Sequence, residues 1–180
     1  TCDLFIDEVA AEINCTDGID DDGDGLVDCE DGDCQPGSMM NSGQQFGTEF
    51  CRDVALGDLD NDGDLDAFVT NNVEGNQVWT NSGGITGGSP GEFYETPEVL
   101  GYSWGVDLGD LDGDGDLDAF IANDGPNQIW VNQGNLQGGV PGIFLDSGQS
   151  FGNIFTTDVR LADFDNDGDL DILCLHTPPQ

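Results

Sequence analysis

Three acidic loops of nearly identical sequence start 52 and then 53 residues apart: Asp58-Leu-Asp-Asn-Asp-Gly-Asp-Leu-Asp66, Asp110-Leu-Asp-Gly-Asp-Gly-Asp-Leu-Asp118 and Asp163-Phe-Asp-Asn-Asp-Gly-Asp-Leu-Asp171. Recurrence at a fixed period marks a repeat architecture, in which one supersecondary unit stacks on copies of itself. Each loop carries carboxylates at positions 1, 3, 5, 7 and 9. So many like charges within nine residues oppose a compact loop unless a cation sits among them. All-oxygen donors on a flexible loop suit calcium better than magnesium, which demands a tight octahedron and keeps its waters. Positions 1, 3 and 5 are expected to offer side-chain oxygens, position 7 its backbone carbonyl and position 9 a carboxylate. Glycine at position 6 (Gly63, Gly115, Gly168) permits the sharp turn. The candidate ligands are therefore Asp58, Asp60, Asp62, Asp64 and Asp66; Asp110, Asp112, Asp114, Asp116 and Asp118; and Asp163, Asp165, Asp167, Asp169 and Asp171. One such loop could be a metal-free acidic hairpin turn; three in register weigh against that.

The repeat extends beyond the loops. Asn76-Gln-Val-Trp-Thr-Asn81 matches Asn127-Gln-Ile-Trp-Val-Asn132, glycine-rich turns follow over 83–91 and 134–142, and Phe93-Tyr-Glu matches Phe144-Leu-Asp. Asn41-Ser-Gly-Gln-Gln-Phe-Gly47 matches Asp146-Ser-Gly-Gln-Ser-Phe-Gly152. Each unit reads as four short strands separated by turns. Strand one ends at the acidic loop, strand two begins there, strand three carries the Trp and strand four the Phe. Helical periodicity is almost absent; only residues 4–13 read as either a short helix or a strand. A four-stranded unit of about 50 residues has the size of a propeller blade.

The predicted fold is all-β, with propeller-like four-stranded blades in an incomplete set of about two and a half to three. The chain holds a leading strand four, two full units, then strands one and two of a third. The units fall at about 38–95, 96–146 and 147–180, after a separate module over 1–37. Propellers typically close with at least about four blades. Either the sequence is a piece of a longer protein, or copies join head to tail, giving a ring if the rotation closes and a filament if it does not.

The first module has its own acidic loop, out of register with the others. Asp20, Asp22, Asp24, Leu26 through its carbonyl, and Asp28 keep the ligand spacing, with Asp31 and Asp33 following between Cys29 and Cys34. With it the chain would hold about four calcium sites. A disulfide-held loop without metal is the alternative. Cys2, Cys15, Cys29 and Cys34 allow three pairings, and a module this small usually needs such staples. Six cysteines, an even number, fit an oxidising compartment. Cys51 and Cys174 either bond to each other or stand apart, with Cys174 a buried free thiol. Asn14-Cys15-Thr16 is a glycosylation sequon.

Thirty-eight acidic residues against two basic ones, Arg52 and Arg160, leave a formal charge of -36. That excludes nucleic acid and anionic membrane as partners, since both require clustered Lys and Arg. No run of 18 apolar residues exists to span a membrane. Such acidity can also mean disorder, but here acid concentrates in loops between segments rich in aromatic and β-branched residues. A chain starting at Thr1 suits a mature secreted form whose signal peptide was removed, hence an extracellular or cell-surface location. Trp79, Trp130, Phe68, Phe120 and Leu173 recur at matched positions and are expected to pack between blades; the two Trp rings could instead be sugar-stacking platforms. His176 has no Ser or Cys at recognisable spacing. The clustered carboxylates could mimic a glycosidase pair, but all of them are already assigned to cation loops, so no enzymatic activity is expected.

The runs Val54-Ala-Leu-Gly-Asp-Leu-Asp-Asn-Asp-Gly-Asp-Leu-Asp-Ala-Phe68 and Asn76-Gln-Val-Trp79 resemble the FG-GAP/VCBS repeats of integrin-like propellers, over residues 41–176. The resemblance implies β-propeller blades, calcium in the loop between strands one and two, and a part in extracellular adhesion or recognition rather than catalysis. The family's full propellers usually have about seven blades, more than this chain supplies. The early loop with its flanking cysteines resembles a thrombospondin type 3 calcium repeat over about twenty residues. Three functional classes follow: a self-assembling structural or adhesive protein, a domain recognising glycans or surface proteins, and an accessory domain of a secreted enzyme.

Overall fold

Short apolar stretches on either side of each acidic loop pair across it, and this hairpin organises the molecule. The computed structural model describes residues 2–7, 39–47, 50–73, 75–83, 91–96 and 100–177, with side chains described from Gly43 onward. The strands are β1 (Cys2–Asp7), β2 (Met39–Phe46), β3 (Cys51–Gly57), β4 (Asp66–Asn71), β5 (Gln77–Asn81), β6 (Phe93–Glu95), β7 (Gly105–Gly109), β8 (Asp118–Ala122), β9 (Asn127–Asn132), β10 (Phe144–Phe151), β11 (Thr156–Ala162) and β12 (Asp171–His176). They form two four-stranded sheets, β3-β4-β5-β6 and β7-β8-β9-β10, and two two-stranded ones, β11-β12 and β1-β2. The pairing within both four-stranded sheets and in β11-β12 is antiparallel. Gly57 pairs with Asp66, Gly109 with Asp118 and Ala162 with Asp171, so one hairpin register encloses all three acidic loops. The all-β architecture of four-stranded antiparallel units is as the repeat required.

The chain divides into two compact units, Asp3–Gln45 and Phe46–Gln180, the latter including Thr1–Cys2. The segment left open between helix and strand is a strand as far as Asp7. The early acidic loop, from Asp20 to Asp33 with Leu26, lies outside the described residues, as do Cys15, Cys29 and Cys34.

The core of the larger unit lies between successive sheets. Ala55, Phe68 and Val78 from the first sheet meet Val106, Ala119, Ile121 and Phe144 from the second, with Phe68 and Phe144 edge-to-face at 5.4 Å. Phe120, Ala122 and Ile129 then meet Val159, with Leu161 and Cys174 packed alongside. Strand alternation explains both layers: along β8, Ala119 and Ile121 point back and Phe120 and Ala122 forward, so a central sheet must be apolar on both faces. Gly57 and Gly109 let the sheets approach. A Cβ at Gly57 would lie 2.5 Å from Cδ1 of Leu117, and one at Gly109 2.5 Å from Cδ1 of Leu170. Each sheet thus receives the position-8 leucine of the next sheet's loop.

One expectation is corrected, and one pair of alternatives is decided. Leu173, matched with Phe68 and Phe120, is 51 % exposed where they are 0 % and 1 %: it sits on the forward face of β12, and no sheet follows β12 among the described residues. Cys174 is a free thiol on the opposite face, 3.7 Å from Nδ2 of Asn127, so it forms no bond to Cys51. The tryptophans are packing residues. Trp130 rests on the first core layer, and Trp79 meets Phe46 edge-on at 5.0 Å.

Candidate metal centres

Within each loop the backbone turns around its own carboxylates. The position-1 carboxylate of the first loop, Asp58, accepts the N–H groups of Asp62 and Gly63. Asp110 accepts those of Gly113, Asp114 and Gly115, and Asp163 those of Asp167 and Gly168. The position-6 glycines reach this geometry at φ of 98°, 95° and 102°, the left-handed region a side chain disfavours. Position 4 is left-handed as well, at Asn61, Gly113 and Asn166. Asn is the other residue type that tolerates that conformation, so the Asn/Gly choice at position 4 was a readable signal that the ligand-centred reading passed over.

Carboxylate oxygens converge in all three loops. Those of Asp58, Asp60 and Asp62 lie within 4.8 Å of one another, as do those of Asp110, Asp112 and Asp118, and of Asp163, Asp165 and Asp171. Position 7 adds a feature that the reading from its backbone carbonyl did not include. Both carboxylate oxygens of Asp64 and both of Asp116 are buried with no hydrogen-bond partner. Buried carboxylates without a donor are strongly unfavourable, and a cation among the loop oxygens removes that penalty. The donor set is all oxygen, which fits a hard divalent ion. The structure brings together positions 1, 3 and 5 in the first loop and positions 1, 3 and 9 in the second and third; Asp66, Asp114 and Asp167 are not in those groups, and of the position-7 residues Asp64 and Asp116 carry the unpartnered oxygens.

Position 9 has a second role. Asp66 is fully buried; its Oδ2 accepts from the N–H groups of Leu59 and Asp60 and its Oδ1 from that of Asn81. Asp118 does the same with Leu111 and Asn132, and Asp171 accepts from Phe164. Asp66 and Asp118 thereby tie their loops to strand three, whereas Asp171 braces its own loop. Asn132, fully buried, completes the tie. Its Nδ2 donates to the carbonyls of Leu59 in the preceding sheet's loop and Leu117 in its own. The matched Asn81 and Asn132 were visible in the sequence as a strand motif; their role in bracing the loops was not.

Crowded carboxylates hold their protons. Burial, then the charges of Asp66 and Asp62, raises Asp60 to about 6. Burial, with the neighbouring Asp114, Asp118 and Asp112, raises Asp116 to about 7. Burial also raises Asp64, Asp66, Asp112 and Asp118. Asp114 moves the other way, because the backbone N–H of Asp116 stabilises its charge. A carboxyl with a raised folded-state value binds more protons folded than unfolded, so folding stability falls as pH rises from the ordinary carboxylate value toward the raised one. Calcium-stripped protein is therefore expected to melt higher at pH 5 than at pH 8. Millimolar calcium should flatten or invert that order, because the ion competes with the same protons. Melting curves of the stripped protein that rise steadily with pH would contradict this.

The family profile for the FG-GAP-like repeat matches residues 58–121 and again residues 110–174. The two matches overlap on the second acidic loop and together run from the first loop to β12. No curated protein and no solved structure gives a significant match. Among the described residues, no helix is long and apolar enough to cross a membrane. With its acidic hairpin loops, four-stranded units and doubled profile match, the chain belongs to the FG-GAP-like repeat family.

Proposed function

We propose that this chain is a secreted, calcium-stabilised structural or adhesive protein whose copies join head to tail through their incomplete blades. One observation carries the reading: positions equivalent in the repeat are buried inside the chain and exposed at its two ends. On the forward side, Phe68 and Phe120 are buried and Leu173 is half exposed; Thr70 and Ala122 are at 0 % and Leu175 at 53 %. On the backward side, Val106 and Val159 are buried while Val54 is 54 % exposed. Leu56 and Leu65 are exposed where Leu108, Leu117 and Leu161 are partly covered. These end faces are the two halves of one interface that the chain already builds twice. A second copy presents the matching half.

The strand count supports the same joint. β11-β12 corresponds to strands one and two of a unit, and β2 carries the strand-four motif, paired with β1. Adding β1-β2 of one copy to the edge of β12 in another gives a complete four-stranded blade. Backbone hydrogen bonds supply affinity in such strand addition, and alternate side chains supply specificity. Because the contact is heterologous, it propagates to a filament or closes to a ring. Calcium in the loops fixes the blade edges that must meet. The family is typical of extracellular adhesion and recognition domains, and the even cysteine count fits an oxidising compartment. No catalytic role is assigned.

Electron microscopy and sedimentation in millimolar calcium test the proposal. Filaments or rings are expected, and the double variant Leu173→Arg with Leu175→Arg should be monomeric with an unchanged melting temperature, since both side chains are exposed. Unaltered oligomers in that variant, or a wild-type protein that stays monomeric at high concentration, would sink it.

A further inference from the structure

We propose that the cleft between the first and second four-stranded sheets binds a neutral saccharide. The proposal goes beyond self-assembly and does not rest on it. The cleft has a volume of about 550 Å³, and its walls include Asn72, Tyr102, Trp104, Asn123, Asp124 and Gln128. It lies at the strand ends away from the acidic loops, because β4 and β8 run from loop to cleft.

Its polar groups ask for a specific partner. Oδ1 of Asn123 and Oδ1 of Asn72 are buried and receive no hydrogen bond, and Asn123 itself is only 9 % exposed. The Asn123 amide cannot turn away, since its Nδ2 donates to the Pro126 carbonyl at 3.0 Å and to Oε1 of Gln128 at 3.2 Å. Gln128 is held in turn by donating to Asp146 at 3.0 Å. One fixed acceptor, on Asn123, and a second on Asn72 thus wait for O–H or N–H donors, with the exposed carboxylate of Asp124 as a third. An unsatisfied buried acceptor is costly, so a ligand that supplies its donor gains more than an ordinary surface hydrogen bond.

The apolar part of the cleft is aromatic. Tyr102 is 62 % exposed. Trp104 is held by Phe155 edge-on at 4.8 Å and by the Arg52 guanidinium 4.3 Å from its ring centroid. Rigid aromatic faces beside a few placed polar groups make a small-molecule site. A ligand that fits both halves carries several hydroxyl donors and a flat C–H surface, as a pyranose does. Anions and metal ions fit poorly. The chain's field, at -36, repels anions, and a hard divalent cation would find only one carboxylate in the lining.

A glycan array probed with the labelled full-length protein in millimolar calcium tests this. Neutral oligosaccharides should be bound. Tyr102→Ala and Asp124→Ala, both at exposed positions, should each weaken the best binder about tenfold or more without changing the melting temperature. The assembly variant Leu173→Arg with Leu175→Arg should still bind. Failure to bind any neutral glycan, binding that survives both cleft variants, or capture of only charged glycans or basic peptides with steep salt sensitivity would each overturn the proposal.

Discussion

Calcium removal is expected to lower the melting temperature by about 15–30 °C. A ligand present at one hundred times its dissociation constant stabilises the folded state by about 2.7 kcal/mol per site. Three loops acting independently would contribute about 8 kcal/mol, comparable with the whole stability of a typical domain. For a chain of this size each kcal/mol moves the midpoint by about 2–4 °C. The structural cause is local. Without the ion, the buried oxygens of Asp64 and Asp116 have no donor, and three carboxylates in each loop converge within 4.8 Å. The loops also anchor Asp66 and Asp118, which hold strand three of their sheets, so loosening them reaches the core. Calorimetry in millimolar calcium, after EGTA at pH 7.5, and after magnesium replacement measures the effect. Asp110→Asn should show about one site's share of the loss. A midpoint within a few degrees in EGTA would contradict the calcium reading.

The second large effect separates two residues that the repeat makes equivalent. Phe120→Ala removes a buried ring that tilts against Phe151 with centroids 5.6 Å apart and packs in the second core layer. A cost of about 3–5 kcal/mol is expected, from the lost transfer energy plus the cavity left behind. Leu173→Ala, one blade later, should cost the monomer under about 1 kcal/mol, because an exposed side chain leaves no cavity. In the assembled state the order changes: if Leu173 is covered by a second copy, its truncation should weaken association while leaving the isolated fold intact. Urea denaturation of both variants, with sedimentation of the same samples, reads the two quantities separately. Equal destabilisation of the monomer by both substitutions would mean that the forward face of β12 is already covered within one chain.

Much of this was legible in the residues. The spacing of the acidic loops gave the blade period, and the Trp and Phe motifs gave the strand order. The candidate ligands could be named because carboxylates on alternate positions around a glycine leave few other readings. What stayed hidden depended on which neighbour a side chain meets. Asp66 looks like any other loop aspartate, yet it is consumed by backbone N–H groups from two elements. Asp64 and Asp116 are expected to work through their carbonyls, and nothing in the local pattern announces that their carboxylate oxygens are also buried without donors. The cleft escaped notice because Asn72 and Asn123 lie 51 residues apart and no local pattern links them to Tyr102.

Local covalent pattern was enough for the fold class, since a period-two alternation and a left-handed glycine turn are properties of a few adjacent residues. The sequence by itself therefore determined the hairpins, their register and their acidic loops. The tertiary structure alone decided the fate of each repeat. Phe68, Phe120 and Leu173 occupy one position in the pattern, and only the presence or absence of a following sheet makes the first two core and the third surface. Burial is a property of the neighbour as much as of the residue, and among the described residues no sheet covers the forward face of β12.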